Sequence, residues 1–258
     1  MNKKLELLKE KISKNEPVVG ASTTFTDCTV TELLAEVGYD FNWIDTEHTR
    51  IDKNEVVHHL MANKGTNCAS FIRIPWNDPV LVKPILEFGP DGVIFPFINT
   101  PEQAEQAVKS CKYPPEGFRG WGPKRANKYG TMNEEEYIKN AYSQFWTIIQ
   151  VEHVESIENL DEILSVDGID AIMVGPSDLS ASVGLIRQTN HKNVKEEMDK
   201  IAEVVNRHDV IFGAVAGNNP QIAKEWLDRG ADMIRVGSEF GQLKKAAQNI
   251  YEGIVEVW

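Results

Sequence analysis

Residues 146–184, WTIIQVEHVESIENLDEILSVDGIDAIMVGPSDLSASVG, constrain the fold of this chain more than any other stretch. Two short apolar runs, Trp146 to Val151 and Ile169 to Val174, flank a segment with Ile157, Leu160 and Ile163 at the spacing of one helix face. Strand, helix, strand within one sheet is almost always a right-handed parallel unit. Both runs therefore end on the same edge of the sheet. Each is followed by a polar turn carrying one carboxylate, Glu152 in QVEH and Asp178 in GPSD.

The rest of the chain repeats this alternation. Leu5, Leu8 and Ile12 mark a short amphipathic helix that stops at Asn15 and Pro17. Strands are expected at Val18 to Ala21, Phe41 to Ile44, Cys68 to Ile74 and Gly92 to Phe97, and after the central unit at Val210 to Val215 and Ala231 to Val236. Apolar residues at helical spacing separate them: Val30, Leu33, Leu34 and Val37; Val56, His59 and Leu60; Leu81, Ile85 and Leu86; then Val194, Met198, Ile201 and Val205. A last helix is expected from Phe240 to about Ile254. Eight strand signals, near 18, 41, 69, 93, 147, 170, 211 and 232, alternating with helices predict an α/β fold, a (β/α)8 barrel over residues 1–258 with no linker or second domain. A doubly wound open sheet is the alternative, but no GxGxxG follows the first strand. The longest stretch without periodicity, Tyr113 to Thr131, is rich in Gly, Pro and basic residues; a loop of that length in a compact domain is usually functional or mobile, and its Trp121 is a candidate cover for the site.

Composition narrows the function classes. With 27 Lys+Arg against 39 Asp+Glu the net charge is −12, which argues against nucleic acid or an anionic membrane as the main partner. Three cysteines without CxxC spacing read as reduced thiols, not a disulfide frame or a zinc site. The charged N-terminal stretch and the lack of any run near ~18 apolar residues predict a soluble, cytoplasmic protein without a transmembrane helix.

In a barrel of this kind the chemistry sits at the carboxyl ends of the strands. Those ends carry Thr23 and Thr24; Asp45, Glu47 and His48; Arg73; Gln150 and Glu152; Gly175 to Asp178; and Gly237 and Ser238. Two carboxylates one β-α unit apart, Glu152 and Asp178, suit an oxygen-loving Mg²⁺ or Mn²⁺. Spacing alone leaves open the bland reading, a helix N-cap for Asp178 and a solvated turn residue for Glu152. Gly175, Pro176 and Ser177 form either an ordinary βα turn or an anion site built from backbone N–H groups. Arg73 is a fork for a keto or enolate oxygen, or a partner for a nearby carboxylate. His48 lies three residues after Asp45, a spacing from which an Asp orients an imidazole for general-base work. No lysine ends a strand, which disfavours a Schiff-base route: Lys64, Lys83 and Lys112 fall in helices or loops.

Five motifs in order, IDTEH (44–48), IRIP (72–75), YPPEGFRG (113–120), QVE (150–152) and VGPSDLSASVG (174–184), together resemble the HpcH/HpaI class II pyruvate aldolases from about Gly20 to Val236. The resemblance implies a (β/α)8 barrel assembled as a trimer or hexamer, its terminal helix swapped onto a neighbouring subunit. It implies Mg²⁺, Mn²⁺ or Co²⁺ as cofactor, and reversible cleavage of a 4-hydroxy-2-oxo acid to pyruvate and an aldehyde. By resemblance Glu152 and Asp178 are the metal ligands, and Arg73 contacts the keto oxygen of pyruvate. His48 with Asp45 moves a proton through water, Gln150 lies beside pyruvate, Gly175 to Ser177 hold its carboxylate, and Val215 lines the aldehyde side. Glu87 in ILEFG and the first strand GASTTF depart from the family pattern and bear on the aldehyde half. A CoA-thioester lyase of the citrate lyase β or malyl-CoA type would share the metal pair, and a non-catalytic 2-oxo acid-binding barrel would share the fold.

Overall fold

Helix and strand signals alternate along the whole chain, and in the computed structural model, which describes residues 2–258, they close on themselves. The strands are β1 (Val18–Thr23), β2 (Phe41–Asp45), β3 (Ala69–Arg73), β4 (Gly92–Phe95), β5 (Trp146–Val151), β6 (Ala171–Val174), β7 (Ile211–Gly217) and β8 (Met233–Ser238). Each pairs in parallel with the next, and β8 pairs with β1, giving a closed eight-stranded barrel. The predicted strand centres are all met, with ends shifted by a few residues.

Helices follow the strands. α1 (Lys3–Ser13) precedes the barrel and buries Leu5 and Leu8 under it. Then come α2 (Thr29–Val37), α3 (Lys53–Ala62), α4 (Pro79–Phe88) and α5 (Pro101–Cys111). Thr100 accepts from the N–H of Gln103 while Pro101 fills the first helical position, where its missing N–H costs nothing. A further helix, α6 (Glu134–Asn140), follows a single turn at Lys128–Gly130; it was not expected from the sequence. The helix of the central unit is broken into α7 (Val154–Glu158) and α8 (Leu160–Leu164) at Asn159, whose side chain donates to Asn99 O at 2.9 Å. The remaining helices are α9 (Pro176–Ser182), α10 (Lys192–Val205), α11 (Pro220–Leu227) and α12 (Glu239–Val257). Among the described residues no helix is long and apolar enough to cross a membrane.

The period of two along each strand sorts side chains into an outer layer under the helices and a row facing the lumen. The lumen is filled from below by Phe41, Trp43, Phe71, Ile94, Trp146, Ile148, Met173 and Met233. Phe71 stacks on Trp146 at 5.6 Å and leans on Phe41 at 5.3 Å. Adjacent strands give room through glycine: a Cβ on Gly20, register partner of Phe41, would lie 2.3 Å from its ring, and one on Gly213, register partner of Met173, 2.0 Å from its Sδ. Further along β2, β3, β5 and β8 the same inward row carries Asp45, Arg73, Gln150 and Arg235 instead. That layer, lying directly on the aromatic plug, is the barrel mouth.

The stretch from Tyr113 to Thr131 joins α5 to β5, so it lies at the opposite, N-terminal end of the barrel. Trp121 packs there against Tyr113 (5.3 Å) and Tyr137 (6.0 Å), and topology keeps it from covering the mouth. Arg125 of the same stretch donates to the last carbonyls of two helices, Phe88 O at 2.7 Å and Leu60 O at 2.9 Å.

Candidate active site

Sheet register, set by closure of the barrel, decides which polar residues meet at the mouth. Asp45 of β2 is the register partner of Arg73 of β3. Their side chains form a two-pronged pair, Arg73 Nε donating to Asp45 Oδ1 at 3.0 Å and Nη2 to Oδ2 at 2.7 Å. Arg73 Nη1 reaches Glu47 Oε2 at 2.8 Å and Gln150 Oε1 at 3.4 Å. Gln150 Nε2 in turn donates to Glu152 Oε2 at 2.7 Å, and the backbone N–H of Phe97 donates to Glu152 Oε1 at 2.9 Å. One continuous network thus links β2, β3, β5 and the turn after β4, and it is almost dry: Asp45 is 3%, Gln150 2% and Glu152 1% exposed.

Burial opposes every charge in this network, and the neighbours decide which survive. Against its own burial, Asp45 is held below the ordinary carboxylate range by Arg73 and by the N–H groups of Glu47 and His48. Arg73, also buried, is raised by Asp45, Glu47 and Glu152. Glu47 is raised by burial first, then by repulsion from Asp45 and Asp178, which Arg73 and His48 only partly counter. Glu152 is pushed up to about 8, by burial first and then by Asp178 and Glu47, against the Phe97 N–H and Arg73. A carboxylate in that position holds a proton at neutral pH unless another cation replaces it.

That demand fits a divalent cation. The Glu152 carboxylate feels the Asp178 charge across the mouth, and Asp178 opens the first turn of α9. Gly175 makes the approach possible, since a Cβ there would lie 2.6 Å from Glu152 Oε2. Among the described residues no three His, Cys, Asp or Glu side chains gather into a metal cluster. Glu152 and Asp178 are two carboxylates at the mouth, donors of the kind that would suit a hard cation such as Mg²⁺ or Mn²⁺.

The expected Asp45–His48 pairing is corrected here. The Asp45 side chain is taken by Arg73 and by the backbone N–H groups of Glu47 (3.0 Å) and His48 (3.4 Å). The imidazole of His48 points outward, its side chain 63% exposed, with Nε2 3.6 Å from Glu47 Oε2. Glu47, whose role does not follow from the sequence pattern, joins His48 to Arg73; its place between Asp45 and His48 in IDTEH is its only signal.

The other sequence-singled residues lie where the barrel requires. Gly175, Pro176 and Ser177 form the β6–α9 turn, and no side chain caps α9; Leu179 N–H, bonded to Gly175 O at 3.1 Å, is the N–H that closes its first turn. Pro176, Ser177 and Val215 line one cavity of about 310 Å³ on the β6–β7–β8 side of the mouth. A residue that was not singled out lines it too: Arg235, register partner of Val215. Its signal in the sequence was a charged residue in the apolar run Met233 to Val236, two positions from the lumen-facing Met233. Glu87 pairs with Arg119 at 3.2 Å near the C-terminal end of α4, away from this chain's own mouth.

Comparison with known proteins now carries weight beyond the barrel itself. The family model for HpcH/HpaI aldolase/citrate lyase matches residues 25–246. The chain belongs to this family. A 5-keto-4-deoxy-D-glucarate aldolase of Escherichia coli O139:H28 is 33% identical over 243 residues, covering 94% of both chains. The crystal structure of an HpcH/HpaI aldolase from Desulfitobacterium hafniense DCB-2 superposes with a TM-score of 0.89 at 29% identity, covering 96% of each chain. That of an HpcH/HpaI aldolase/citrate lyase family protein from Burkholderia cenocepacia J2315 gives 0.90 at 28%, covering 96% of this chain and 98% of the other.

Proposed function

We propose that this HpcH/HpaI family member is a metal-dependent class II aldolase, an aldehyde-lyase that reversibly cleaves a 4-hydroxy-2-oxo acid to pyruvate and an aldehyde. The observation that carries this reading is the network at the mouth: a buried carboxylate held near neutrality, Glu152, linked through Gln150 to a guanidinium fixed by two carboxylates. The aldolase relative and the aldolase structures support it.

Glu152 and Asp178 would hold the cation, which when bound supplies Lewis-acid polarisation of the 2-oxo group. Arg73, fixed by Asp45 and Glu47, presents a cation to the oxygen that gains charge as the C3–C4 bond breaks. Gln150 is the amide beside it. The Gly175–Ser177 turn receives the substrate carboxylate at the Ser177 N–H, since Pro176 has none and that of Gly175 is bonded to Val151 O. His48, solvent-facing and backed by Glu47, takes the C4 hydroxyl proton through water in cleavage and returns it in addition. Val215 lines the aldehyde side. We also propose a homo-oligomer, a trimer or hexamer, with α12 packed on a neighbouring subunit.

The test follows the pyruvate half alone. Pyruvate methyl protons should exchange with D₂O in the presence of Mg²⁺ or Mn²⁺, stop on chelation, and return when either metal is added back. Chelator-insensitive exchange, or full exchange in Glu152→Gln, sinks the reading. The citrate lyase side of the family gives the competing reading of a CoA-thioester lyase; tight binding of an acyl-CoA with no aldehyde turnover would favour it.

A further inference from the structure

Trp43 is the one aromatic ring among the described residues that carries two cations. Arg119 stands over Tyr113 and Arg229 over Trp226, one guanidinium to one ring. The Trp43 ring has Arg73 at 5.4 Å and Arg235 at 5.3 Å, both within cation–π reach. The indole is 1% exposed, so water does little to screen either contact. Among the described residues its Nε1 is buried without a hydrogen-bond partner, so what the indole offers its neighbours is its ring.

Strand order explains the arrangement. Trp43 lies on β2 two positions before Asp45, in the same inward row and one layer below it. Arg73 comes from β3, the next strand on one side. Arg235 comes from β8, two strands away on the other side, and reaches past β1 to the ring. Strand β1 permits this because the residues it sets between them are small: Gly20, register partner of Arg235, and Ser22, register partner of Trp43. Two like charges are thereby brought to one indole. Burial first and then Arg73 push Arg235 down to about 10, while Asp45 and Glu239 act on it as counter-charges. Asp45, Glu47 and Gln150 grip Arg73 along its N–H edge. Bonds along the rim of a planar group resist rotation in the plane more than tilt out of it, and repulsion from Arg235 acts on that softer direction. The indole supplies what the rim bonds lack, an attraction to both cations from the ring side.

We propose that Trp43 is a positioning residue for Arg73: its ring holds the two guanidiniums in place against their mutual repulsion and so keeps Arg73 aimed at the oxygen that gains charge. The aim at that oxygen rests on the aldolase reading; the coupling of the ring to the two cations stands without it.

The test has a kinetic and a thermodynamic arm. With Mg²⁺ present, Trp43→Met, which fills the core without a ring, should slow pyruvate methyl-proton exchange roughly 10- to 30-fold, in kcat and not in KM. Trp43→Phe, which keeps a ring, should stay within about threefold of wild type. Removing the repelling charge should restore much of the lost aim: in an Arg235→Gln background the cost of Trp43→Met should shrink to about threefold or less. In the metal-free protein, Arg235→Gln should raise the urea midpoint by roughly 0.3–0.7 M more in Trp43→Met than in wild type, since without the ring only the repulsion is left to relieve. Equal losses in Trp43→Phe and Trp43→Met, or a Trp43→Met cost that is the same with and without Arg235, overturn the proposal and leave the indole as core packing. Strictly additive urea midpoints do the same. If wild-type protein exchanges no pyruvate protons, the aldolase reading has failed, and the urea cycle still decides whether Trp43 couples to the two arginines.

Discussion

Glu152 shows how much of the site depends on one buried atom group. Its carboxyl titrates near 8 in the folded chain but at the ordinary 4.5 when unfolded. Between those values the folded state keeps a proton that the unfolded state has lost, so this group's contribution to stability is full below pH 4.5 and lost as pH rises through about 8. In metal-free protein, Glu152→Gln should therefore raise Tm, little at pH 5 and by several degrees at pH 8, a gain on the order of a few kcal/mol. An equal Tm shift at both pH values would refute the assignment. The same proton competes with the cation, so Mn²⁺ affinity should rise by up to about tenfold per pH unit between pH 6 and 8 in wild type; a flat profile would count against Glu152 as a ligand. Arg73→Lys leaves a charge but cannot keep two bonds to Asp45 while reaching Glu47 and Gln150, and kcat/KM should drop about 10²- to 10³-fold. At this scale the sequence placed Glu152, Asp178, Arg73 and the GPSD turn at the mouth, because each lies at the end of its strand or in the turn after it and the barrel fixes which end is functional. It misassigned the partner of His48, because Asp45 meets Arg73 by register across strands 28 residues apart, which local spacing does not report.

The elements were readable wherever burial imposes a period. All eight strands follow from apolar runs, since each is covered by the outer helices and packs the lumen. What escaped was α6, whose sequence EEEYIKN buries only Tyr137 and which forms because Asn133 caps it and Tyr137 packs beside Tyr113. Its apolar content is too small to show a helical stripe. The link between α12 and the β1–α2 turn escaped as well. Glu239 opens α12, is 5% exposed, and accepts from the N–H groups of Thr24 and Phe25 and the Thr24 hydroxyl, fastening the last helix to the first strand. Removing it strands two backbone donors at a buried joint. Glu239→Ala should cost roughly 1–3 kcal/mol, a fall in Tm of about 2–4 °C per kcal/mol, read by thermal denaturation. If Tm is unchanged, the joint is held by packing and the carboxylate is incidental.

At the scale of the molecule, α12 does not finish the barrel as its sequence pattern alone would have it. It runs for 19 residues, yet Phe240, Leu243, Ile250, Tyr251, Ile254 and Trp258 are all exposed, the last entirely. Beside its first turns lies an apolar groove of about 550 Å³, lined by Val19, Tyr39, Ala223, Leu227, Ile234 and Val236. The outward Val236 of β8, only half-buried, is among them. A contiguous apolar helix face and an unfilled apolar groove on the same side of a barrel each leave surface that a soluble monomer rarely keeps bare. In the proposed homo-oligomer a neighbouring copy of α12 would answer both at once, and a reciprocal exchange would close the pair. Deleting residues 244–258, which keeps Glu239 and its bonds, should convert the proposed oligomer to monomer by light scattering, and Ile250→Asp with Ile254→Asp should do so in the full chain. An unchanged mass in both variants would show that the subunits meet elsewhere. If instead the wild-type chain is itself a monomer, the exposed face of α12 needs another partner.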